Sequence, residues 1–119
     1  MLIETGRRAK AASKIMARAS TVEKNAALLA LAEALQAARA EILAANALDV
    51  AEARANDLTD ALIDRLLLND KRVDGLCADL RNLVSLPDPV GERFDEVTLP
   101  NGLKLRKQRV PLGVLGVIY

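Results

Sequence analysis

The sequence has no histidine and no tryptophan, one cysteine, and only two aromatic residues, Phe94 and Tyr119, among 119. Each shortage excludes something. Without histidine there is no Ser/His or Cys/His pairing and no imidazole general base. A mixed Cys/His metal site is excluded too, and one cysteine permits neither an internal disulfide nor a CxxC site. With 2% aromatics, any core must rest on Ala, Leu, Ile and Val. No apolar run approaches the roughly 20 residues of a membrane span. The formal net charge of +1 makes no electrostatic case for nucleic acid, for which a clustered basic surface is expected. A Walker loop, a GxGxxG turn and a metal-ligand cluster are all missing from the motif inventory.

What is present is apolar and helix-forming. Hydrophobic residues make up 51% of the chain, so a packed core is expected rather than disorder, and the length suits one domain. The stretch "GRRAKAASKIMARAS" places Arg7, Lys10, Lys14 and Arg18 on one helical face and Ala12, Ile15, Met16 and Ala19 on another. A first surface helix is the expected reading. A transit peptide and a membrane-surface helix are the alternatives, weakened by Glu4 and by the small alanines.

"STVE", Ser20 to Glu23, has the form of a capping box and predicts a second helix. Leu28, Leu31, Leu35, Ala38 and Ile42 follow at spacings of three and four, one continuous core-facing seam. Asn46 reads as a break or new cap, with Ala47 to Ala55 a short helix after it. Thr59 is an N-cap candidate for "DALIDRLLL", and Asn69 or Asp70 for the next helix, whose stripe is Val73, Leu76, Cys77, Leu80, Leu83 and Val84. Cys77 sits inside that stripe. A catalytic thiolate needs a basic activating partner. None adjoins it, so a small buried hydrophobe is the expected role. Asp49 with Glu52 and Asp60 with Asp64 are carboxylate pairs at helical spacing, read as solvated surface.

"PDPVG", Pro87 to Gly91, ends the helical texture. Phe94, Val97 and Leu99 then alternate imperfectly with acids, Pro100–Gly102 supplies a turn, and "LKLRKQRV" alternates better, which predicts a β-hairpin. Lys104, Arg106, Lys107 and Arg109 are phosphate-binding candidates, with a solvated hairpin face the favoured reading. The closing run "RVPLGVLGVIY" is apolar and rich in β-branched residues, as a central parallel strand is. Such a strand needs neighbours, which leaves open whether the chain is whole.

"ANALDVAEARANDLTDALIDRLLL", "LPDPVGE" and "RVPLGVLGVIY" in combination strongly resemble the gamma-glutamyl phosphate reductases, also called glutamate-5-semialdehyde dehydrogenases, of the aldehyde dehydrogenase superfamily. The resemblance covers essentially the whole chain. It implies an α/β fold in a longer polypeptide, of which this would be an N-terminal fragment: mostly α-helical, then a β-hairpin, then the first strand of the cofactor-binding sheet. Residues 1–91 would be helices packing on the cofactor-binding domain. Residues 92–110 would be the hairpin of an oligomerisation element, and 111–119 the truncated first strand of the dinucleotide-binding domain.

The implied activity is NADPH-dependent reduction of L-glutamyl 5-phosphate to glutamate 5-semialdehyde and phosphate, in proline synthesis, by a cytoplasmic homo-oligomer. The resemblance puts the catalytic cysteine far downstream, so Cys77 does not inherit that role and no catalytic or metal-binding residue is expected in this chain. Ile118 and Tyr119 would stand at a strand's carboxyl end, where ligands of open α/β sheets bind. They would wall the cofactor pocket, or alternatively pack in the core. The isolated chain is expected to be inactive. A competing expectation from a different class is a complete, non-enzymatic helical interaction module, using its basic first helix or its hairpin edge.

Overall fold

A computed structural model describes residues 2–118 of the chain. Five helices precede two strands: α1 (Leu2–Met16), α2 (Thr21–Ala37), α3 (Arg39–Ala55), α4 (Asp60–Leu66), α5 (Asp70–Ser85), β1 (Arg93–Thr98) and β2 (Lys104–Gln108). The chain divides into two compact units, Val22–Leu86 and the combination of Met1–Thr21 with Pro87–Tyr119.

The helical unit, Val22–Leu86, is built from the leucine and alanine seams. Two small apolar clusters hold it. Ala32 of α2 meets Val73 and Cys77 of α5, with Leu35, Leu43 and Leu80 packed around them. Val50 and Ala53 of α3 meet Ile63 of α4. Cys77 and Ala32 are fully buried. The Cys77 thiol faces the Ala32 carbonyl at 3.5 Å. α5 buries the Val73–Cys77 line of its stripe, while Leu76 and Leu83 of the same expected stripe stay about half exposed. A helix buries only the arc that meets a neighbour, and on α5 that arc is narrower than the apolar one.

Two expected boundaries differ. The seam from Leu28 to Ile42 is not one helix: α2 ends at Ala37 and α3 begins at Arg39, with Ala38 at φ −87°, ψ 5°. Backbone bonding nevertheless runs through the bend, from Ala38 N to Ala34 O at 2.9 Å and from Ile42 N to Ala38 O at 3.0 Å. Nor does Asn46 break a helix. It lies inside α3, buried, because its amide has partners on another element that only the fold supplies. The short helix expected from Ala47 is the second half of α3.

The caps before α4 and α5 fall where expected. Thr59 precedes α4 in an extended conformation but makes no side-chain cap bond. Asn69 precedes α5, and its Oδ1 accepts from the Arg72 amide at 2.9 Å.

In the other unit α1 buries no side chain. The Thr21 hydroxyl donates to Asp88 Oδ2 at 3.0 Å. β1 and β2 pair antiparallel in a two-stranded sheet, with Phe94 opposite Lys107, Val97 opposite Leu105, and a bulge between Phe94 and Val97. Asp95, in the bulge, has φ 51°, a left-handed conformation that a short polar side chain tolerates. The turn is closed by Gly102 at φ 85° and by Asn101 Oδ1, which accepts from Leu103 N at 3.1 Å.

Beyond β2, residues 109–118 carry no helix or strand. The apolar run expected as a strand has no ladder partner, and Gly113 at φ 87° interrupts an extended backbone within it. A strand is defined by inter-strand hydrogen bonds, and among the described residues no neighbour supplies them.

Candidate functional site

Three polar constellations are assembled from these elements. The first joins three helices of the helical unit. Arg39, at the start of α3, reaches Asp70 of α5 at 3.2 Å, Gln36 of α2 at 2.5 Å, and Asp74 of α5. Gln36 also donates to Asp74 at 3.2 Å. The Gln36 amide and the Arg39 guanidinium hold the Asp74 carboxyl below the usual carboxylate range. Asp74, followed by Asp70, raises Arg39 in return, against the opposing effect of burial. This is a clasp between helices in which one guanidinium serves two carboxylates.

The second constellation secures the α4–α5 connection. Asn46 Nδ2 donates to the Leu66 carbonyl at 2.9 Å, and Asn46 Oδ1 accepts from the Leu68 amide at 2.7 Å. Arg72 donates to the Asp64 and Leu67 carbonyls and to the Asp64 carboxylate. The free carbonyls at the end of a helix need such partners. One comes from α3 and the other from α5. Beside this connection lies an open groove of about 440 Å³, lined by Leu67, Leu68, Arg72, Gly75, Leu76 and Asp79 among others.

The third lies on the hairpin. Lys107 pairs with Asp95 at 2.8 Å and Arg109 with Glu92 at 2.6 Å. Both cations also stand over the Phe94 ring, at 5.9 and 5.2 Å from its centre, an arrangement favourable to the ring quadrupole. Two of the four phosphate-binding candidates are therefore committed to carboxylates. Lys104 and Arg106 fall on the opposite face of β2 by strand alternation, so the four do not converge. Arg109 also edges a groove of about 480 Å³ formed with Pro89, Val90, Val110, Pro111 and Leu112.

The remaining candidates stand alone. Cys77 is a core residue, as its stripe position predicts. Asp64 is engaged by Arg72, and Asp49, Glu52 and Asp60 join no cluster of metal-ligating groups among the described residues. Ile118 is fully exposed, and Tyr119 lies outside the described residues. Sequence reasoning missed Asn46, Arg39, Asp74 and Arg72 as fixing residues. Only the i, i+3 spacing of Gln36 with Arg39 offered a local signal.

An α-helical unit with ionic clasps between its helices, joined to a β-hairpin arm, defines a scaffold segment of the kind found in α/β enzymes. No family model matches the chain. It is 52% identical over 118 residues to gamma-glutamyl phosphate reductase of Vibrio parahaemolyticus, covering 99% of the chain and 28% of that protein. It is 53% identical over 114 residues to gamma-glutamyl phosphate reductase of Chloroflexus aurantiacus, covering 96% of the chain and 27% of that protein. The crystal structure of gamma-glutamyl phosphate reductase from Thermotoga maritima superimposes with a TM-score of 0.85 at 40% identity, over 92% of this chain and 27% of that one. In sequence and fold the chain is homologous to a segment of the gamma-glutamyl phosphate reductases. It spans between a quarter and a third of the length of the curated relatives it matches.

Proposed function

We propose that the chain serves as the N-terminal scaffold segment of a gamma-glutamyl phosphate reductase. The whole protein would carry out NADPH-dependent reduction of L-glutamyl 5-phosphate to glutamate 5-semialdehyde and phosphate, in proline biosynthesis. The observation that carries this reading is identity above 50% across nearly the entire chain to two reductases from distant bacteria. In this reading the nucleophilic cysteine and the other catalytic residues lie outside the chain, the enzyme is a cytoplasmic homo-oligomer assembled through the hairpin, and neither nucleic acid nor membrane is a partner. Among the described residues no helix is long and apolar enough to cross a membrane.

Ile118 and Tyr119 are proposed as part of the apolar wall of the cofactor pocket. Ile118 is fully exposed, and a Cβ added at Gly113 or Gly116 meets nothing within 4 Å, so the run leaves room for a ligand. The larger contribution of this chain is structural: its clasps fix the α3–α5 scaffold.

The test is a chimera in which this chain replaces the matching segment of the Thermotoga maritima enzyme. Retained NADPH oxidation with glutamyl phosphate is expected, with none from the isolated chain. A folded but inactive chimera, or turnover by the isolated chain, would sink the assignment. The helical unit has its own apolar clusters, which is what a self-sufficient interaction module would need. Such a module would leave the chimera inactive while the isolated chain stayed folded and monodisperse.

A further inference from the structure

Among the asparagines of the chain, only Asn101 is followed by glycine, and the pair sits at the tip of the hairpin. We propose that Asn101–Gly102 is a site of spontaneous deamidation that the turn holds closed, so that its conversion records openings of the hairpin. The reaction needs only water. The backbone nitrogen of Gly102 attacks Asn101 Cγ and forms a new N–C bond. The side-chain amide leaves as ammonia, carrying off the hydrogen that Gly102 N gives up. Water then opens the succinimide ring at either carbonyl, leaving an aspartate or an isoaspartate, with nothing oxidised or reduced. Glycine is the least hindered residue to follow the asparagine, because it has no Cβ.

The folded turn works against each part of that step. Gly102 N must surrender its hydrogen to attack, and that hydrogen is donated to the Leu99 carbonyl at 2.9 Å. Asn101 Oδ1 accepts from Leu103 N at 3.1 Å, an Asx turn that holds the amide in place. Leu99 N donates to Leu103 O at 2.8 Å and closes the loop beneath both. With Gly102 at φ 85°, this is the three-residue hairpin loop that ends in a left-handed glycine. Every contact involved is internal to the turn, so the guard acts whatever covers the hairpin, and it stands whether or not the reductase assignment does. The two products differ in what they leave behind. An aspartate still accepts from Leu103 N. An isoaspartate routes the main chain through Cγ and lengthens it by one carbon, so Gly102 N–H no longer meets Leu99 O and the opened turn does not re-form.

The full chain, incubated at mildly alkaline pH in native buffer and in urea and followed by peptide mapping with mass spectrometry, tests this. In urea Asn101 should convert ahead of every other asparagine. In native buffer its conversion should be slower by about tenfold or more, since the rate follows the open fraction of the hairpin. Leu105→Pro, in β2 opposite Val97, opens the ladder and leaves the Asn101–Gly102 pair unchanged. It should bring the native-buffer rate close to that in urea, with helical circular dichroism showing that the helical unit is still folded. In the separated isoaspartyl form the Gly102 amide should exchange with solvent faster than in the parent. Equal rates in the folded chain and in urea, or conversion in Leu105→Pro as slow as in the parent, would overturn the proposal.

Discussion

Asn46 shows how one side chain can be read correctly as chemistry and wrongly as position. Its amide does satisfy stray backbone groups, which is why asparagine suggests a cap. The groups it satisfies are Leu66 O and Leu68 N, some twenty residues away, and no local pattern reports them. Removing it leaves a part-buried amide and carbonyl without that partner. Asn46→Ala should therefore cost about 1–3 kcal/mol, seen as a lower urea midpoint at unchanged slope. Asn46→Asp keeps the acceptor for Leu68 N but sets a carboxylate against the Leu66 carbonyl. Its deficit should be largest at neutral pH and shrink as pH falls towards about 4, where the protonated acid can donate again. Cys77 is the opposite case, legible from sequence because a thiol on an apolar helix stripe is usually core. Its complete burial predicts negligible labelling by a thiol reagent in the native chain and full labelling in urea.

At the scale of elements, caps and turns were legible and junctions between helices were not. Thr59 and Asn69 both occupy N-cap positions, as the sequence indicates, but only Asn69 makes the bond. Asn69→Ala should cost about 1 kcal/mol and Thr59→Ala distinctly less, compared by chemical unfolding. The hairpin was legible from its turn residues, its bulge was not, because the extra residue follows from the pairing rather than from Asp95 itself. The α2–α3 bend at Ala38 carries no glycine or proline. The adjacent Arg39 is held by Asp70 and Asp74 of α5, so the tertiary grip sits beside the bend and a periodic seam cannot show it.

That clasp has a pH signature. Asp74 is held below its ordinary range by Gln36 and Arg39. A depressed carboxyl contributes stability above its unfolded value, about 3.9, and loses it as pH falls through the lower folded value. Asp74→Asn should accordingly be less stable than the parent at pH 7, with the gap closing in acid. A constant gap from pH 7 to pH 2 would place the loss in packing instead.

For the whole molecule, the sequence showed abundant apolar material but not how little of it this chain encloses. Buried apolar residues are confined to two clusters of small and medium side chains, while Leu112, Leu115 and Val117 are at least 70% exposed. The run 111–119 reads as a strand because composition reports what a segment would do beside a neighbour. Its described residues meet no ladder partner here. An unpaired segment of this kind favours association with other chains and contributes little to the fold of its own. Replacing Val114 and Val117 by lysine should therefore raise the concentration at which the chain stays monodisperse, measured by light scattering. The unfolding midpoint of the helical unit, followed by circular dichroism, should not move. A midpoint that fell with the two lysines would mean that the segment packs on the folded chain, and the apolar run would then belong to the core.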